Sequence, residues 1–422
     1  LIKKLLDIII PFIGGQNKMK KLNRKEFLKQ SGTISMGMVL GNTPSIDLSR
    51  IQISQNRADP WLEINLKNIS WNLSQIRKKA FPRPVMGVIK ANAYGHGLVE
   101  VAKSLENQKI GFLAVGNLWE AITLRKNGIV TPILNFGPMV AGDSGQIVQK
   151  GISQSVYSED VVYLSQAANK HGEKAKVHIK VDTGLGRVGI PYYQALAYIK
   201  KVAALANIKI EGIFTTFTED KNFDKVQLQR FLQICKTAKR EGINVGLRHA
   251  VSSAGILSFS QGYLDMVRPG IMIYGHYPST QEYQNRQIDL RPAMTLKARI
   301  IQVKDLRPGD SISYHRKFIA KQKTPVATLP VGYSDGYLPT IVEKGEVVIK
   351  GQRWPLIAAI TSNHSSVNIT GDKSIKKGDP VVLMGKQGEG EVNAEEIAQW
   401  AKTSVYKIVI NMNPLLPRRF IE

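Results

Sequence analysis

From about Asp59 the chain alternates short apolar runs with helix-spaced stretches for roughly 230 residues, and few folds accept that alternation. Ile69, Leu73, Ile76 and Ala80 fall on one face of a helix. Pro84–Ile89 then forms a continuous apolar run, as strands buried on both faces of a parallel sheet do. Gly111–Val115, Pro132–Phe136, Lys176–Val181 and Ile208–Thr215 read as further strands. Helices are expected through Ala121 and Leu124, over Tyr192–Ala206, and along Leu228, Phe231, Leu232, Cys235 and Ala238. This is α/β texture, and it favours a (β/α)8 barrel or a doubly wound sheet. Cys235 lies on the apolar side of its helix, which reads as core packing rather than a nucleophile.

After Leu290 the texture changes. Met294–Val303, Pro325–Leu329, Glu346–Lys350, Pro355–Ile360 and Pro380–Leu383 are β-rich, with turn signals at Arg307-Pro308-Gly309-Asp310, Glu343-Lys344-Gly345 and Lys377-Gly378-Asp379. One helix is expected near Asn393–Ala401, where Asn393 and Glu396 have capping-box spacing. The expected organisation is a basic segment over 1–58, a barrel over 59–290 and a mostly-β domain over 291–422. No stretch of about 20 apolar residues exists to span a bilayer. The single cysteine excludes an intrachain disulfide and any Cys-rich zinc site, and no metal site is expected.

Lys and Arg number 58 against 33 Asp and Glu, a formal net charge of +25. The excess is spread along the chain without a long basic block or an aromatic-basic repeat, so general polyanion attraction explains it better than specific nucleic-acid binding. Nucleic-acid binding would predict steep salt dependence. Near the N-terminus, Met19 is a candidate start, followed by Lys20-Lys21-Leu22-Asn23-Arg24-Lys25-Glu26-Phe27-Leu28-Lys29 and a modest apolar stretch over 34–41. That order is the layout of an export signal, and Arg24-Lys25-Glu26-Phe27-Leu28-Lys29 resembles a twin-arginine signal with its second arginine replaced by lysine. A periplasmic or exported location is therefore expected, with a disordered basic tail on a cytoplasmic protein as the alternative. No clean cleavage site follows. Leu1–Phe12 is too short to span a membrane but could lie on its surface.

The chemistry concentrates at Val88-Ile89-Lys90-Ala91-Asn92-Ala93-Tyr94-Gly95-His96-Gly97. Lys90 falls at the C-terminal end of the first expected barrel strand, the end where barrels carry catalytic groups. A lysine emerging from an apolar strand loses solvation when charged, which lowers its pKa and frees a nucleophilic amine. Taken alone, Lys90 reads better as a lysine snorkelling from a strand end. With its neighbours, the decapeptide resembles the pyridoxal-phosphate lysine motif of the alanine racemase family. Further blocks follow in that family's order: Lys180-Val181-Asp182-Thr183-Gly184-Leu185-Gly186-Arg187, Val267-Arg268-Pro269-Gly270-Ile271-Met272-Ile273-Tyr274-Gly275, Ser311-Ile312-Ser313-Tyr314, and Val331-Gly332-Tyr333-Ser334-Asp335-Gly336-Tyr337. The resemblance runs from roughly Asp59 to the end, and that family too has a barrel followed by a β-domain.

The resemblance implies a pyridoxal-phosphate-dependent isomerase acting on a small amino acid, most simply L-alanine to D-alanine, in a homodimer with shared sites. Racemisation needs proton removal on one face of Cα and delivery on the other; the resemblance gives Lys90 to one face and Tyr314 to the other. Tyr314 would come from the partner subunit. A tyrosine with its ordinary pKa near 10 needs a cationic or hydrogen-bonding neighbour to act as a base. Arg268 resembles the arginine facing the cofactor's ring nitrogen, where a donor-only group leaves that nitrogen neutral. Arg187 resembles the arginine near the substrate carboxylate, for which its planar fork is suited. Lys180 matches a lysine carbamylated in some members. Gly270 and Ile271 backbone N–H groups, the Ser253 hydroxyl and the Tyr94 phenol would bind the phosphate.

Four places depart from the family. Thr216 stands where a histidine flanks the cofactor ring, and Ser252 stands where asparagine is usual. Ser362 and Asn363 replace Met-Asp, with Ser362 placed to meet substrate, and Phe420 replaces a tyrosine that reaches the phosphate. Losing that hydroxyl removes one hydrogen bond of about 1 kcal/mol. These departures suggest a changed pocket and a broader amino-acid range. Two alternatives share the motifs: a non-catalytic relative that binds cofactor or amino acid, and a decarboxylase.

Overall fold

The computed structural model describes residues 59–422. The export-signal expectation and Met19 fall in 1–58, outside the described residues. Parallel strands Met86–Val88, Phe112–Val115, Ile133–Asn135, Ser153–Val156, Ala175–Asp182, Ile208–Phe214 and Leu247–His249 are hydrogen-bonded in that order. The segment 266–269 takes the remaining place. It bridges His249 on one side and Val85 on the other, and Val88 N donates to Pro269 O at 2.9 Å. The ring is thereby closed as a barrel. Helices including Leu98–Asn107, Leu118–Lys126, Val161–His171, Ala195–Ala204 and Phe223–Arg240 connect the strands.

The helix Leu66–Ala80 buries Ile69, Leu73, Ile76 and Ala80, the face expected from their spacing. Asn65 caps it by accepting from Asn68 N at 2.9 Å, and Arg77, Lys78 and Lys79 occupy its last turn, where the helix dipole favours cations. Cys235 is buried on Phe223–Arg240, and burial pushes its thiol up to about 12, which fits core packing and not a nucleophile.

The second sheet runs in the order Gln302–Leu306, Thr324–Leu329, Ser365–Asn368, Gln352–Ile357, Glu346–Ile349, Pro380–Gln387, Met294–Arg299, Trp61–Asn65 and Arg418–Ile421. Residues 61–65, read with the barrel from the sequence, instead pair antiparallel with Met294–Arg299 and parallel with Arg418–Ile421. Five residues carry too little pattern to show which sheet they join. The helix Ala394–Trp400 starts at Asn393 with both capping-box bonds to Glu396 in place. Among the described residues, no helix is long and apolar enough to cross a membrane.

Candidate active site

Strand Met86–Val88 ends at Ile89, and the chain then does something its residues do not favour. Ala91, Asn92, Ala93 and Tyr94 all have φ between 52° and 55°, a left-handed helical turn built without glycine. Each such residue costs about 1–2 kcal/mol, so the surroundings must over-determine the turn. They do so by hydrogen bonding. The fully buried Glu120 accepts from Asn92 N and Gly116 N, each at 2.9 Å. Asn92 Oδ1 accepts from Leu98 N at 2.8 Å, and His96 Nδ1 lies 2.9 Å from Tyr94 O. From the last strand, Arg418 Nε donates to Gly95 O at 2.8 Å. The Phe420 ring lies where a Cβ on Gly97 would sit 2.8 Å away. Phe420 therefore packs on the turn, filling the place of the expected tyrosine with apolar contact.

This turn aims Lys90 across the barrel mouth. Its side chain reaches solvent, yet the surrounding protein holds its amine below the ordinary 10.5. Desolvation is the largest cause, the positive charge of Arg187 adds to it, and Glu120 opposes both. Lys180, on strand Ala175–Asp182, is lowered further, to about 8, by desolvation and by the charges of Arg268, Arg187 and Lys90. A rise in pH through 8 thus frees the Lys180 amine, the form that can take up carbon dioxide as a carbamate. Arg187 is exposed and makes itself felt at both lysines.

Beside the turn lies a donor-rich cradle. Ser253 Oγ accepts from Gly270 N at 3.0 Å and from Met272 N at 3.5 Å. A Cβ on Gly270 would sit 2.4 Å from Tyr94 Oη, so only glycine lets the phenol approach this backbone. Ile271 begins a short 3-10 turn here, Ile271–Tyr274, and is fully buried. Met272 N–H joins Gly270 N–H in donating to Ser253, and that hydroxyl does not engage the Ile271 N–H. Tyr94 stacks on Tyr274 with ring centroids 4.9 Å apart and lies 6.2 Å from the Tyr406 ring. A hydroxyl, a phenol and backbone N–H groups converging at one helix start fit a phosphate.

Arg268 is buried at the other end of the site. Its Nη1 donates to His249 Nδ1 at 3.0 Å, and its Nη2 donates to Thr215 O at 2.9 Å and Ala250 O at 2.8 Å. A guanidinium has five N–H donors, so Nε–H and one Nη1–H stay available to a ligand. Desolvation pushes its pKa down to about 9. His249 does not stand in for the missing ring-flanking histidine. It stacks on Phe214 at 4.9 Å and serves Arg268 from inside the core. Thr216, where that histidine would be, offers its carbonyl to Gln227 Nε2 at 3.2 Å.

The remaining candidates belong to the second sheet's side. Tyr314 is 78% exposed, in a loop with positive φ at Ser313, His315 and Arg316. Ser362 is also exposed; its carbonyl accepts from Ser334 Oγ at 2.7 Å, and Asn363 Nδ2 donates to the same hydroxyl at 2.7 Å. Among the described residues, no hydrogen bond or ion pair joins Tyr314 or Ser362 to Lys90. Lys90, Tyr94, Ser253, Arg268 and Gly270 come together at the barrel mouth within one chain. Glu120 and Arg418 were missed by sequence reasoning. The available signal for Glu120 was its place three residues after the capping Asn117.

Glu120→Ala would leave the N–H groups of Asn92 and Gly116 without their acceptor. At about 1–3 kcal/mol for each of the two stranded donors, denaturant unfolding is expected to show a loss of about 2–6 kcal/mol. A variant as stable as the parent would mean that other contacts hold the turn.

Sequence and structure comparisons match most of the chain to known proteins. The alanine racemase N-terminal domain model matches residues 64–278 and the alanine racemase C-terminal domain model matches 293–420. The chain is 38% identical over 368 residues to an alanine racemase of Desulforamulus reducens, covering 86% of this chain and 98% of that one. It is 36% identical over 367 residues to alanine racemase 2 of Caldanaerobacter subterraneus subsp. tengcongensis, covering 85% and 94%. The solved alanine racemase of Clostridium difficile 630 superposes with a TM-score of 0.82 at 37% identity, over 88% of this chain and 97% of that one. With the two domain models matching in order over its barrel and its mostly-β domain, this chain belongs to the alanine racemase family.

Proposed function

We propose that this protein interconverts the L- and D-forms of an amino acid, alanine first, using pyridoxal phosphate and two bases, Lys90 and Tyr314. The observation that carries the reading is the pKa-lowered Lys90 amine, fixed by a left-handed turn beside the Tyr94, Ser253 and Gly270 cradle. Those residues would hold the phosphate, and the free N–H donors of Arg268 would face the ring nitrogen. Pyridoxal phosphate, when bound, withdraws electrons from an attached amino acid and acidifies its Cα–H bond.

The chain's own residues do the rest. Lys90 Nζ, with its pKa below 10.5, takes or returns a proton on one face of Cα. Tyr314 Oη serves the opposite face. Arg187 orients the substrate carboxylate through its planar fork and, as a cation, disfavours the charged form of Lys90. Ser362 lies on the substrate side of the same mouth in this reading. The exposure of Tyr314 supports its completing a neighbouring subunit's site in a homodimer.

Alanine need not be the only substrate. Ser252 Oγ lies 3.4 Å from Glu219, Asn363 is tied to Ser334, and Phe420 packs on Gly97, so three departures from the family alter the walls together. A broader amino-acid range follows as the second reading. We also propose export, which rests on the basic segment before residue 59.

Chiral chromatography after incubation with pyridoxal phosphate and L-alanine, L-serine, L-lysine or L-arginine tests both readings. D-alanine is expected; D-forms of the others would establish the broader range. Formation of no D-product by a protein that binds the cofactor would sink the racemase assignment.

A further inference from the structure

A string of buried polar side chains leaves Arg268 and runs down the barrel interior, away from the cofactor cradle. Arg268 Nη1 meets His249 Nδ1 at 3.0 Å, His249 Nε2 meets His178 Nδ1 at 2.9 Å, and His178 Nε2 faces Glu211 Oε2 at 3.5 Å. Ser153 Oγ donates to the same Glu211 oxygen at 2.5 Å. Both imidazoles are fully buried, while the Glu211 side chain keeps 15% of its surface exposed. Burying two histidines in an apolar barrel costs solvation, and His178 Nε2, which makes no hydrogen bond, has the Glu211 carboxylate facing it instead.

The two ends of the string allow one proton arrangement. Arginine has donors and no acceptor, and an ionised carboxylate has acceptors and no donor. His249 Nδ1 must therefore be bare, so its proton sits on Nε2. That proton points at His178 Nδ1, which must also be bare, leaving the His178 proton on Nε2 toward Glu211. Desolvation holds both histidines below their ordinary 6.5, with the Arg268 charge adding to it, so both stay neutral. Desolvation pulls Glu211 upward, but the facing His178, the Ser153 hydrogen bond and the nearby Lys176 outweigh it and hold it near 2. Other groups packed on the string are the Phe112 edge against His178 and the Phe214 face against His249; Lys180 and Arg268 both lie over Phe214. Gly212 leaves room for the string, since a Cβ there would sit 2.4 Å from His178 Nδ1.

We propose that Glu211, at the far end of this string from the cofactor cradle, is a positioning residue that acts through His178 and His249 to keep Arg268 aimed at the cofactor ring. The proposal rests on the assignment of Arg268 to that ring, but the proton arrangement can be read without any turnover. Without the carboxylate, the His178 Nε2 proton loses the negative charge that it faces. The preference for a proton on His178 Nε2 is then weakened, and the reversed arrangement, which sets a His249 proton against the Arg268 guanidinium, gains population.

The test is long-range 1H–15N correlation on the full-length protein with 15N-labelled histidine, without and with pyridoxal phosphate. His249 is expected to show a pyridine-like Nδ1 and a pyrrole-like Nε2 in the parent protein. In Glu211→Ala both resonances should move to averaged positions, and the visible absorption maximum of the cofactor-loaded protein should shift. Glu211→Gln, which keeps an acceptor oxygen, should restore the parent pattern. Should Glu211→Ala not fold, His178→Phe cuts the string at its next link and is expected to lose the same His249 pattern. Unchanged His249 resonances in Glu211→Ala, or a parent His249 protonated on Nδ1, would overturn the proposal. Either result would leave the racemase reading untouched, because that reading depends on D-product formation.

Discussion

Lys90→Ala is expected to abolish racemisation and to release the cofactor on dialysis. Two losses combine. The variant lacks the amine that anchors the cofactor, and it lacks the base on one face of Cα. A positioned general base alone is worth about 10²–10⁴-fold, so the combined loss should exceed about 10⁴-fold. Chiral chromatography measures the rate, and visible absorbance before and after dialysis measures retention. The fold should survive, because Lys90 is not part of the packed core and the left-handed turn is fixed through Glu120, Asn92 and Arg418. That separates Lys90→Ala from Glu120→Ala, which should lose stability by stranding two backbone donors. A Lys90→Ala protein keeping a tenth of the parent rate would show that the amine is neither anchor nor base.

The barrel was legible first in Met86–Val88, Phe112–Val115 and Ile133–Asn135, which are almost wholly buried and read as short apolar runs. Ser153–Val156 is the instructive exception. It is fully buried but carries Ser153, Gln154 and Ser155, so no apolar run announces it. Its polarity is compensated by neighbours remote in sequence: Asn135 Nδ2 donates to Gln154 Oε1 at 2.8 Å, Gln154 Nε2 donates to Gly137 O at 2.8 Å, and Ser153 donates to Glu211. Compensation of that kind is a tertiary fact and leaves no local pattern. The helix Val161–His171 after it went unread as well.

The site divides the same way. Lys90, Tyr94, Ser253, Arg268 and Gly270 were legible through motif blocks, and their meeting is a consequence of strand order. The left-handed turn was not legible, because Ala-Asn-Ala-Tyr carries no glycine and nothing local requires positive φ. Glu120 in the first turn of its helix reads as surface until the turn above it is seen to need an acceptor. His178 and His249 read as isolated histidines on strands, since their pairing depends on a bond between residues far apart in sequence.

Tyr314→Phe is expected to lower racemisation by about 10²–10⁴-fold while leaving cofactor binding intact, since it removes a proton-carrying oxygen and keeps the ring. Lys90 Nζ remains, so proton exchange at one face of Cα should continue. In deuterium oxide, one enantiomer of alanine should therefore keep acquiring deuterium, and the other should not. Complementation then tests where Tyr314 acts. If each site takes Lys90 from one subunit and Tyr314 from its partner, a mixed dimer of Lys90→Ala and Tyr314→Phe chains has one site with both defects and one site with neither. Random reassembly of equal amounts makes half the dimers mixed, so about a quarter of the parent activity should return. If Tyr314 instead served Lys90 of its own chain, every site in every dimer would carry one defect and mixing would restore nothing. Exposure of the Tyr314 side chain favours the shared arrangement.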